Sequence, residues 1–267
     1  MRLLVTGGAG YLGSEICGQA IALGHDVLAT QRVTPPPQGR PLPLDVRDTD
    51  AVERAFLRTG PDVVIHTAYV LAGPEMEPTI VRGMHNVAVA AHRIGARLIA
   101  LSTDLVFDGE QGAPYDEDDD PRPVMAYGAA KLEGERLTLR AHADALVVRT
   151  SVLYGKTEPG PQELLAFRDD VEFYTDEIRC PTRVDELAAA LLGLAARVDV
   201  TGILHLAAPD AVSRLELARA LRTAHRRDPR SVRGRPSPRE GRARNVALDS
   251  SRAEAILGRS LTGICGE

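Results

Sequence analysis

The stretch TGGAGYLG, residues 6–13, decides the fold of this chain. It follows a short apolar run at residues 3–5 and opens a helical pattern, so the sequence predicts a strand, a glycine turn and a helix. Glycine tolerates positive φ and lets the backbone approach a ligand closely. The N-terminus of the following helix presents free N–H groups to a pyrophosphate. The spacing of Gly7, Gly10 and Gly13 in this setting therefore predicts a dinucleotide site.

The alternation of strand and helix continues outward from this turn. Buried strands are predicted at residues 26–29, 62–65, 97–101, 145–148 and 203–206, and helices at residues 11–23, 48–57 and 184–198. A further helix is expected from Ser213, which has capping-box spacing to Glu216. Apolar strands separated by helices indicate a doubly wound α/β fold with a parallel Rossmann sheet. We expect residues 1–150 to form the dinucleotide-binding domain, with residues 184–206 returning to it, and residues 151–267 to form mainly a substrate-binding lobe.

Composition and charge argue against several other classes of protein. The 267 residues are 44% hydrophobic and 26% charged, and a formal net charge of -5 argues against a general nucleic-acid binder. No apolar run reaches membrane-spanning length, and the N-terminus offers no signal peptide. Cys17, Cys180 and Cys265 are scattered and form neither a disulfide framework nor a metal-ligand cluster. We therefore expect a cytoplasmic protein without a metal.

The end of the second predicted strand bears on the choice of cofactor. An acidic side chain about 20 residues after the glycine turn would hold the ribose 2′-hydroxyl of NAD(H). Gln31 and Arg32 stand at this place instead, without a carboxylate. A guanidinium forms charge-assisted hydrogen bonds with a 2′-phosphate. The sequence therefore favours NADP(H), and NAD(H) stays open.

Tyr127 and Lys131 are candidate catalytic residues, because positions i and i+4 share one face of a helix. A free tyrosine has a pKa of about 10, and a nearby lysine cation favours its phenolate. Such a tyrosine can exchange a proton with an oxygen while hydride moves at the adjacent carbon. Ser102 and Thr103 follow the predicted strand at residues 97–101, where a hydroxyl can polarise a reacting carbonyl.

Several segments resemble the dTDP-4-dehydrorhamnose reductase family of the extended short-chain dehydrogenase/reductase superfamily. They are LSTDLVFDG at residues 101–109, PYDE at 114–117, YGAAK at 127–131, VRTSVLYG at 148–155, CPT at 180–182, DELA at 185–188, GILHL at 202–206 and NVALD at 245–249. Together with the glycine turn they cover nearly the whole chain. The resemblance implies an enzyme that reduces the 4-keto group of a nucleotide-activated deoxysugar with NAD(P)H.

The motifs and the resemblance together assign roles to individual residues. The catalytic trio would be Thr103, Tyr127 and Lys131. The cofactor contacts would be Gly7, Gly10, Tyr11, Leu12, Gly13, Gln31, Arg32, Asp45, Val46, Thr67, Ala68, Tyr69, Ser102, Tyr127 and Lys131. The substrate contacts would be Thr103, Arg149, Tyr154 and Arg183. Arg183 departs from the family pattern, in which an apolar or aromatic residue is usual, and His66-Thr67 stands where an Asn-Ala pair is common.

Two other functions stay open. An epimerase or dehydratase would use the same trio and regenerate its NAD(P) within one cycle. A non-catalytic NAD(P)-binding subunit would resemble the regulatory subunit of methionine adenosyltransferase. The arginine-rich segment at residues 222–244 either clamps a diphosphate or forms a solvated face. We expect a small-molecule partner, a nucleotide sugar by resemblance, and no nucleic acid or membrane; a homodimer stays open.

Overall fold

The computed structural model describes residues 1–155, 159–238 and 240–266. Its strands are β1 (Arg2–Thr6), β2 (Asp26–Gln31), β3 (Arg40–Pro43), β4 (Val63–His66), β5 (Arg97–Thr103), β6 (Leu146–Thr150), β7 (Leu153–Tyr154), β8 (Glu172–Tyr174), β9 (Ile178–Arg179), β10 (Thr182–Arg183), β11 (Gly202–His205), β12 (Val212–Ser213) and β13 (Arg233–Arg235). Its α-helices are α1 (Tyr11–Ala22), α2 (Thr49–Thr59), α3 (Gly83–Ile94), α4 (Ala126–Ala141), α5 (Pro161–Ala166), α6 (Val184–Ala195), α7 (Arg214–Ala224) and α8 (Ser251–Leu257).

The chain divides into two compact units. The first contains Met1–Ser102, Ala129–Val148 and Ala188–Leu204. The second contains Thr103–Gly128, Arg149–Leu187 and the described residues from His205 onward. Residues 103–128 thus group with the second unit, whereas the division predicted from the sequence placed them in the first domain. The substrate-binding role of the second unit stays a prediction.

A seven-stranded sheet runs through the first unit, within the described part of the chain. Its strand order is β11-β6-β5-β4-β1-β2-β3. β1 pairs in parallel with β2 and β4, and parallel pairing continues from β2 to β3 and from β4 to β5. The strand order reverses between β1 and β4, the switch point where doubly wound sheets bind ligands beyond the carboxyl ends of their strands. This sheet confirms the predicted fold class.

Burial and capping explain the elements around the switch point. All residues of β4 are buried, as expected for a parallel strand covered on both faces. α2 begins after Asp48, whose carboxylate accepts from the Ala51 N–H at 2.9 Å. It ends at Gly60, which adopts the left-handed conformation with φ 50°. Phe56 of α2 and Val64 of β4 are buried in one apolar core, which holds the helix on the sheet.

The second unit has short strand pairs and a small core of its own. β7 pairs with β10, β8 with β13 and β9 with β12. The Ser213 hydroxyl accepts from the Glu216 N–H at 3.1 Å, and the Glu216 carboxylate accepts from the Ser213 N–H at 2.7 Å. The predicted capping box therefore starts α7. Tyr154, Phe173 and Leu221 are buried in the core of this unit.

Predicted and observed elements differ mainly at their ends. The helix predicted at residues 11–23 is observed as Tyr11–Ala22, and the helix predicted at residues 184–198 ends at Ala195. The late strand predicted at residues 203–206 is observed as Gly202–His205. Such shifts of one to three residues are expected, because the hydrophobic pattern does not mark the last turn of a helix.

One arginine of the basic segment has a structural role. Arg222 is buried, and its guanidinium donates to the Ala166 carbonyl at 2.6 Å. It also pairs with Asp169 at 2.7 Å. A buried guanidinium with these partners stabilises the second unit from within, so the solvated face considered for this segment does not include Arg222.

All three cysteines are free thiols. Burial raises the pKa of Cys17 to about 12 and that of Cys180 to about 11, whereas Cys265 is exposed. Among the described residues, no group of His, Cys, Asp and Glu side chains could hold a metal ion. The described helices include none with both the length and the apolar character that crossing a bilayer requires.

Candidate active site

The glycine turn packs closely against the end of β4. Gly7 has φ 70°, and a Cβ at this position would lie 2.9 Å from the Ala68 Cα. A Cβ on Gly13 would lie only 2.2 Å from the Gly7 carbonyl oxygen. The Gly10 N–H closes the turn by donating to the Gly7 carbonyl at 2.8 Å. Side chains are therefore excluded from these positions, which leaves the backbone open to close approach by a ligand.

The N-terminus of α1 favours an anion. Gly10 is the N-cap and brings no side chain to satisfy the first N–H groups of the helix. Its first turn, which includes Tyr11 and Leu12, contains no acidic residue. The N–H groups that begin the helix and the positive end of its dipole therefore favour a phosphate at this place.

A pocket of about 370 Å³ lies in the first unit beyond the carboxyl ends of β1, β2, β3 and β4. Nine predicted cofactor contacts line it: Gly7, Gly10, Gln31, Arg32, Asp45, Val46, Thr67, Ala68 and Tyr69. Thr30, Val33, Leu44 and Thr79 also line it and were not predicted. Tyr11, Leu12, Gly13 and Ser102 lie outside this lining. Contact between these residues and a cofactor stays a prediction.

Arg32 lines the pocket and also has a carboxylate partner. Its Nη1 donates to Glu75 Oε2 at 2.8 Å, and Arg47 Nη1 donates to Glu75 Oε1 at 2.9 Å. Hydrogen bonds from Arg32 and Arg47 hold the pKa of Glu75 below its usual value. A hydrogen bond from Arg47 likewise lowers the pKa of Asp45. Sequence reasoning missed Glu75 and Arg47, because only the folded chain brings residues 32, 47 and 75 together.

Lys131 is buried in α4, and its Nζ donates to the Leu101 carbonyl oxygen at 2.9 Å. Burial lowers the pKa of Lys131 to about 8, although Glu135 opposes this shift. Glu135 is itself buried and accepts a hydrogen bond from the Ser102 hydroxyl. Lys131 is therefore a cation at neutral pH that titrates only slightly above it, and such perturbed groups cluster at functional sites.

His66, the last residue of β4, is a neutral polar group in the electrostatic field of Lys131. Its Nδ1 lies 2.7 Å from Thr6 Oγ1. Within the described part of the chain, its buried Nε2 has no hydrogen-bond partner. Burial lowers the pKa of His66 to about 3, and the charge of Lys131 lowers it further. The departure from the family pattern at this position thus adds a neutral ring and no charge.

Tyr127 lies in the first turn of α4, one helical turn before Lys131. The two residues therefore have the i, i+4 placement that puts side chains on one face of a helix. Gly128 follows directly, and a Cβ there would lie 2.0 Å from the Leu105 carbonyl oxygen. Glycine at this position is what allows the start of α4 to lie against the turn after β5.

Thr103, the last residue of β5, is held by a buried carboxylate. Its hydroxyl donates to Asp104 Oδ1 at 3.0 Å and accepts from the Leu105 N–H at 3.2 Å. Asp104 is fully buried, accepts from Ser151 Oγ at 2.6 Å and pairs with Arg179, whose Nε donates at 2.6 Å. Asp104 therefore orients Thr103. Asp104 directly follows Thr103 in the STD segment, and this adjacency was the only feature of the sequence that could have indicated its role.

The remaining predicted substrate contacts lie in the second unit and have partners there. Arg149 is buried with its guanidinium 5.1 Å from the centre of the Phe107 ring. Arg183 pairs with Asp185 at 2.5 Å. Tyr154 is 1% exposed in the core, so its side chain offers almost no surface to a ligand. Substrate contact by these residues stays a prediction.

Fold and site together define a class of protein. A doubly wound sheet, a glycine turn at its switch point, an anion-attracting helix N-terminus and a pocket beyond the strand ends are the features of a Rossmann dinucleotide-binding protein. The helical spacing of Tyr127 and Lys131 adds the arrangement that the sequence predicted for a short-chain dehydrogenase/reductase.

The chain belongs to the family described as the RmlD substrate binding domain, whose model matches residues 1–262. It is 35% identical over 279 residues to a dTDP-4-dehydrorhamnose reductase of Mycobacterium tuberculosis. That alignment covers 96% of this chain and 87% of the mycobacterial protein. The family membership confirms the resemblance found in the sequence.

Solved structures share this fold along its whole length. A hypothetical dTDP-4-dehydrorhamnose reductase from Sulfolobus tokodaii matches with a TM-score of 0.85 and 27% identity, covering 100% of this chain and 99% of that one. The Bordetella bronchiseptica enzyme WbmG, in complex with NAD and UDP, matches with a TM-score of 0.83 and 25% identity. That match covers 100% of this chain and 93% of WbmG.

Proposed function

We propose that this chain is an NADP(H)-dependent oxidoreductase that reduces the keto group of a nucleotide-activated 4-keto-6-deoxysugar. One observation carries the proposal: Tyr127 and the buried Lys131 share a helical face, which provides a proton donor and a neighbouring cation. The similarity to dTDP-4-dehydrorhamnose reductases supports the substrate class. A cytoplasmic location and a symmetric homodimer are further parts of this proposal, which cell fractionation and sedimentation would test.

The residues of the first unit fit a nicotinamide dinucleotide, which would supply the hydride when bound. The glycine turn leaves room for a pyrophosphate, and the N–H groups at the start of α1 would bind it. Asp45 and Val46 line the pocket and would flank the adenine. Arg32 lines the same pocket and would bind a 2′-phosphate, and NAD(H) would be accepted less readily.

Tyr127 would perform the proton transfer, and Lys131 would lower the pKa of Tyr127 and hold the nicotinamide ribose. With a pKa of about 8, Lys131 is mostly protonated at neutral pH, and the Leu101 carbonyl fixes its position. Its charge stabilises the phenolate that remains after Tyr127 has given its proton to the substrate oxygen. Thr103 would polarise the same oxygen. Because its hydroxyl donates to Asp104 in this structure, donation to a substrate requires that hydroxyl to rotate away from Asp104.

The test is a kinetic comparison of two tyrosine variants. Purified protein is mixed with NADPH and a panel of 4-keto-6-deoxy nucleotide sugars, and loss of NADPH absorbance is followed. We expect Tyr127→Phe to lower kcat about 10²- to 10⁴-fold, the usual contribution of a general acid. Tyr174→Phe is the matched control, because the Tyr174 hydroxyl contacts Arg235 within the second unit. Full activity of Tyr127→Phe on the substrate would exclude the proposal.

The same assay separates the alternatives. A sugar that changes while NADPH is not consumed would identify an epimerase or dehydratase. Binding of NADPH without any change in any sugar would favour a regulatory subunit, as in the methionine adenosyltransferase resemblance. A protein that binds neither NADPH nor NADH would contradict the dinucleotide site itself.

A further inference from the structure

Arg32 lines the pocket, and a carboxylate from another segment of the chain neutralises the charge of its guanidinium. Arg32 Nη1 donates to Glu75 Oε2 at 2.8 Å. Glu75 comes from the segment after β4, 43 residues further along the chain. The second oxygen of the same carboxylate accepts from Arg47 Nη1 at 2.9 Å. One carboxylate thus bridges two guanidinium groups at the margin of the pocket.

Arg47 cannot compensate for the loss of charge at Arg32. Its Nε donates to Asp45 Oδ1 at 2.9 Å and its Nη2 to Asp45 Oδ2 at 2.6 Å, a bidentate pair that occupies one edge of the guanidinium. The four side chains carry two positive and two negative charges, so the group is neutral overall. A doubly charged phosphate that enters beside Arg32 therefore meets no net positive charge until Glu75 moves.

We propose that Glu75 reduces the preference of this chain for NADP(H) over NAD(H) by competing with the 2′-phosphate of NADP(H) for the Arg32 guanidinium. NAD(H) has a hydroxyl at the same ribose position. This hydroxyl can donate a hydrogen bond to the Glu75 carboxylate, so NAD(H) can bind without displacing Glu75 from Arg32. Glu75 thus lowers the affinity for NADP(H) relative to NAD(H). This inference rests on the proposed dinucleotide function and concerns the same pocket.

The exposure of the pair permits such a competition. The Arg32 and Glu75 side chains are 41% and 45% exposed, and exposed ion pairs contribute little net free energy. A phosphate that makes several charge-assisted hydrogen bonds to a guanidinium can therefore displace the carboxylate, at a moderate loss of affinity. We expect this loss to be about 1.5-fold to fivefold in Kd, the range that corresponds to one exposed ion pair.

The experiment measures the Kd of NADPH and of NADH by calorimetry for the wild type, Glu75→Gln and Glu77→Gln. Glu75→Gln removes the charge and keeps the shape. We expect it to tighten NADPH binding about 1.5-fold to fivefold and to leave NADH binding equal or weaker. Glu77→Gln is the matched control, because Glu77 is exposed and its substitution removes the same charge two residues away from Glu75. It should change the ratio of the two Kd values by much less.

A double variant makes the test specific for Arg32. If Glu75 acts through Arg32, Glu75→Gln should have no effect on NADPH binding in the Arg32→Gln background, as a double-mutant cycle shows. Weaker NADPH binding by Glu75→Gln would mean that Glu75 positions Arg32, and would overturn the proposal. An unchanged ratio, or the same shift in Glu77→Gln, would overturn it as well. These results require a wild type that binds both cofactors; binding of neither would instead overturn the proposed function.

Discussion

Lys131 of the first unit and Asp104 of the second unit are buried charged groups with different surroundings. In the first unit, burial lowers the pKa of Lys131 to about 8 and that of His66 to about 3. Burial also lowers the pKa of His205 in the second unit to about 4, but two buried carboxylates of that unit meet opposite charges. Asp104 pairs with Arg179, and the buried Glu177 pairs with Arg242 at 2.6 Å.

This difference separates groups suited to chemistry from groups suited to positioning. A buried cation close to a tyrosine can stabilise its phenolate, and the position of Lys131 one turn after Tyr127 fits that role. A buried ion pair holds its partners in one geometry, and loss of either partner leaves an uncompensated charge. Asp104 therefore acts on Thr103 by fixing its orientation.

The largest expected effect follows from breaking the Asp104–Arg179 ion pair of the second unit. Asp104→Asn leaves Arg179 largely buried without its countercharge, and we expect a loss of about 3 to 5 kcal/mol in the free energy of unfolding. Asp170→Asn is the matched control, because Asp170 pairs with Arg168 in an exposed position and should contribute little. Urea unfolding of both variants measures the difference. Equal stabilities would show that burial of the Asp104 pair has no energetic consequence.

The second prediction concerns Lys131 and the pH dependence of stability. The unfolded chain keeps this proton up to its ordinary pKa of 10.5, whereas the folded chain releases it near pH 8. The unfolded state therefore binds more protons between these values, and the contribution of Lys131 to stability rises with pH across this window. The full rise is at most roughly 3 kcal/mol. Between pH 8 and pH 10.5 the free energy of unfolding of the wild type should therefore rise relative to that of Lys131→Met, as urea unfolding at the two pH values would measure. A pH-independent difference would argue against the lowered pKa.

The smallest expected effect concerns two glycines of α1 in the first unit. A side chain at Gly13 would clash with the backbone, whereas a side chain at Gly18 would have room. A Cβ on Gly13 would lie 2.2 Å from the Gly7 carbonyl oxygen, but on Gly18 the nearest atom, Gln38 Cγ, would be 3.8 Å away. We expect Gly13→Ala to cost about 1 to 3 kcal/mol and to weaken dinucleotide binding. Gly18→Ala should stabilise the helix by roughly 0.5 to 1 kcal/mol. Thermal unfolding and NADPH titration of both variants test this, and similar behaviour of the two would refute the steric argument.

Features encoded in local spacing could be predicted from the sequence. The glycine turn followed by α1 depends on a strand, a turn and a helix within residues 2–22, and the cap of α7 depends on Ser213 and Glu216, three residues apart. Nine predicted contacts converge on one pocket because the carboxyl ends of parallel strands share an edge of the sheet.

Features that depend on distant residues could not be predicted. β9 and β12 have two residues each and exist only through their antiparallel pairing, so no periodicity marks them. Glu75 reaches Arg32 through the packing of two separate segments. The burial of Arg222 depends on Ala166 and Asp169, more than 50 residues earlier, so an arginine-rich composition alone did not indicate it.

The distribution of thiols provides a route to site-selective labelling. A thiolate is the reactive form of cysteine, and burial keeps Cys17 and Cys180 as protonated thiols at ordinary pH. Partial burial and Asp210 raise the pKa of Cys265 as well, but Cys265 is exposed whereas the other two thiols are buried, so a maleimide dye should react there first without removal of any native cysteine. Since the chain contains no tryptophan, the intrinsic fluorescence of the protein would interfere little with the signal of the dye. The natural sequence thus carries a single attachment point for a reporter in the second unit.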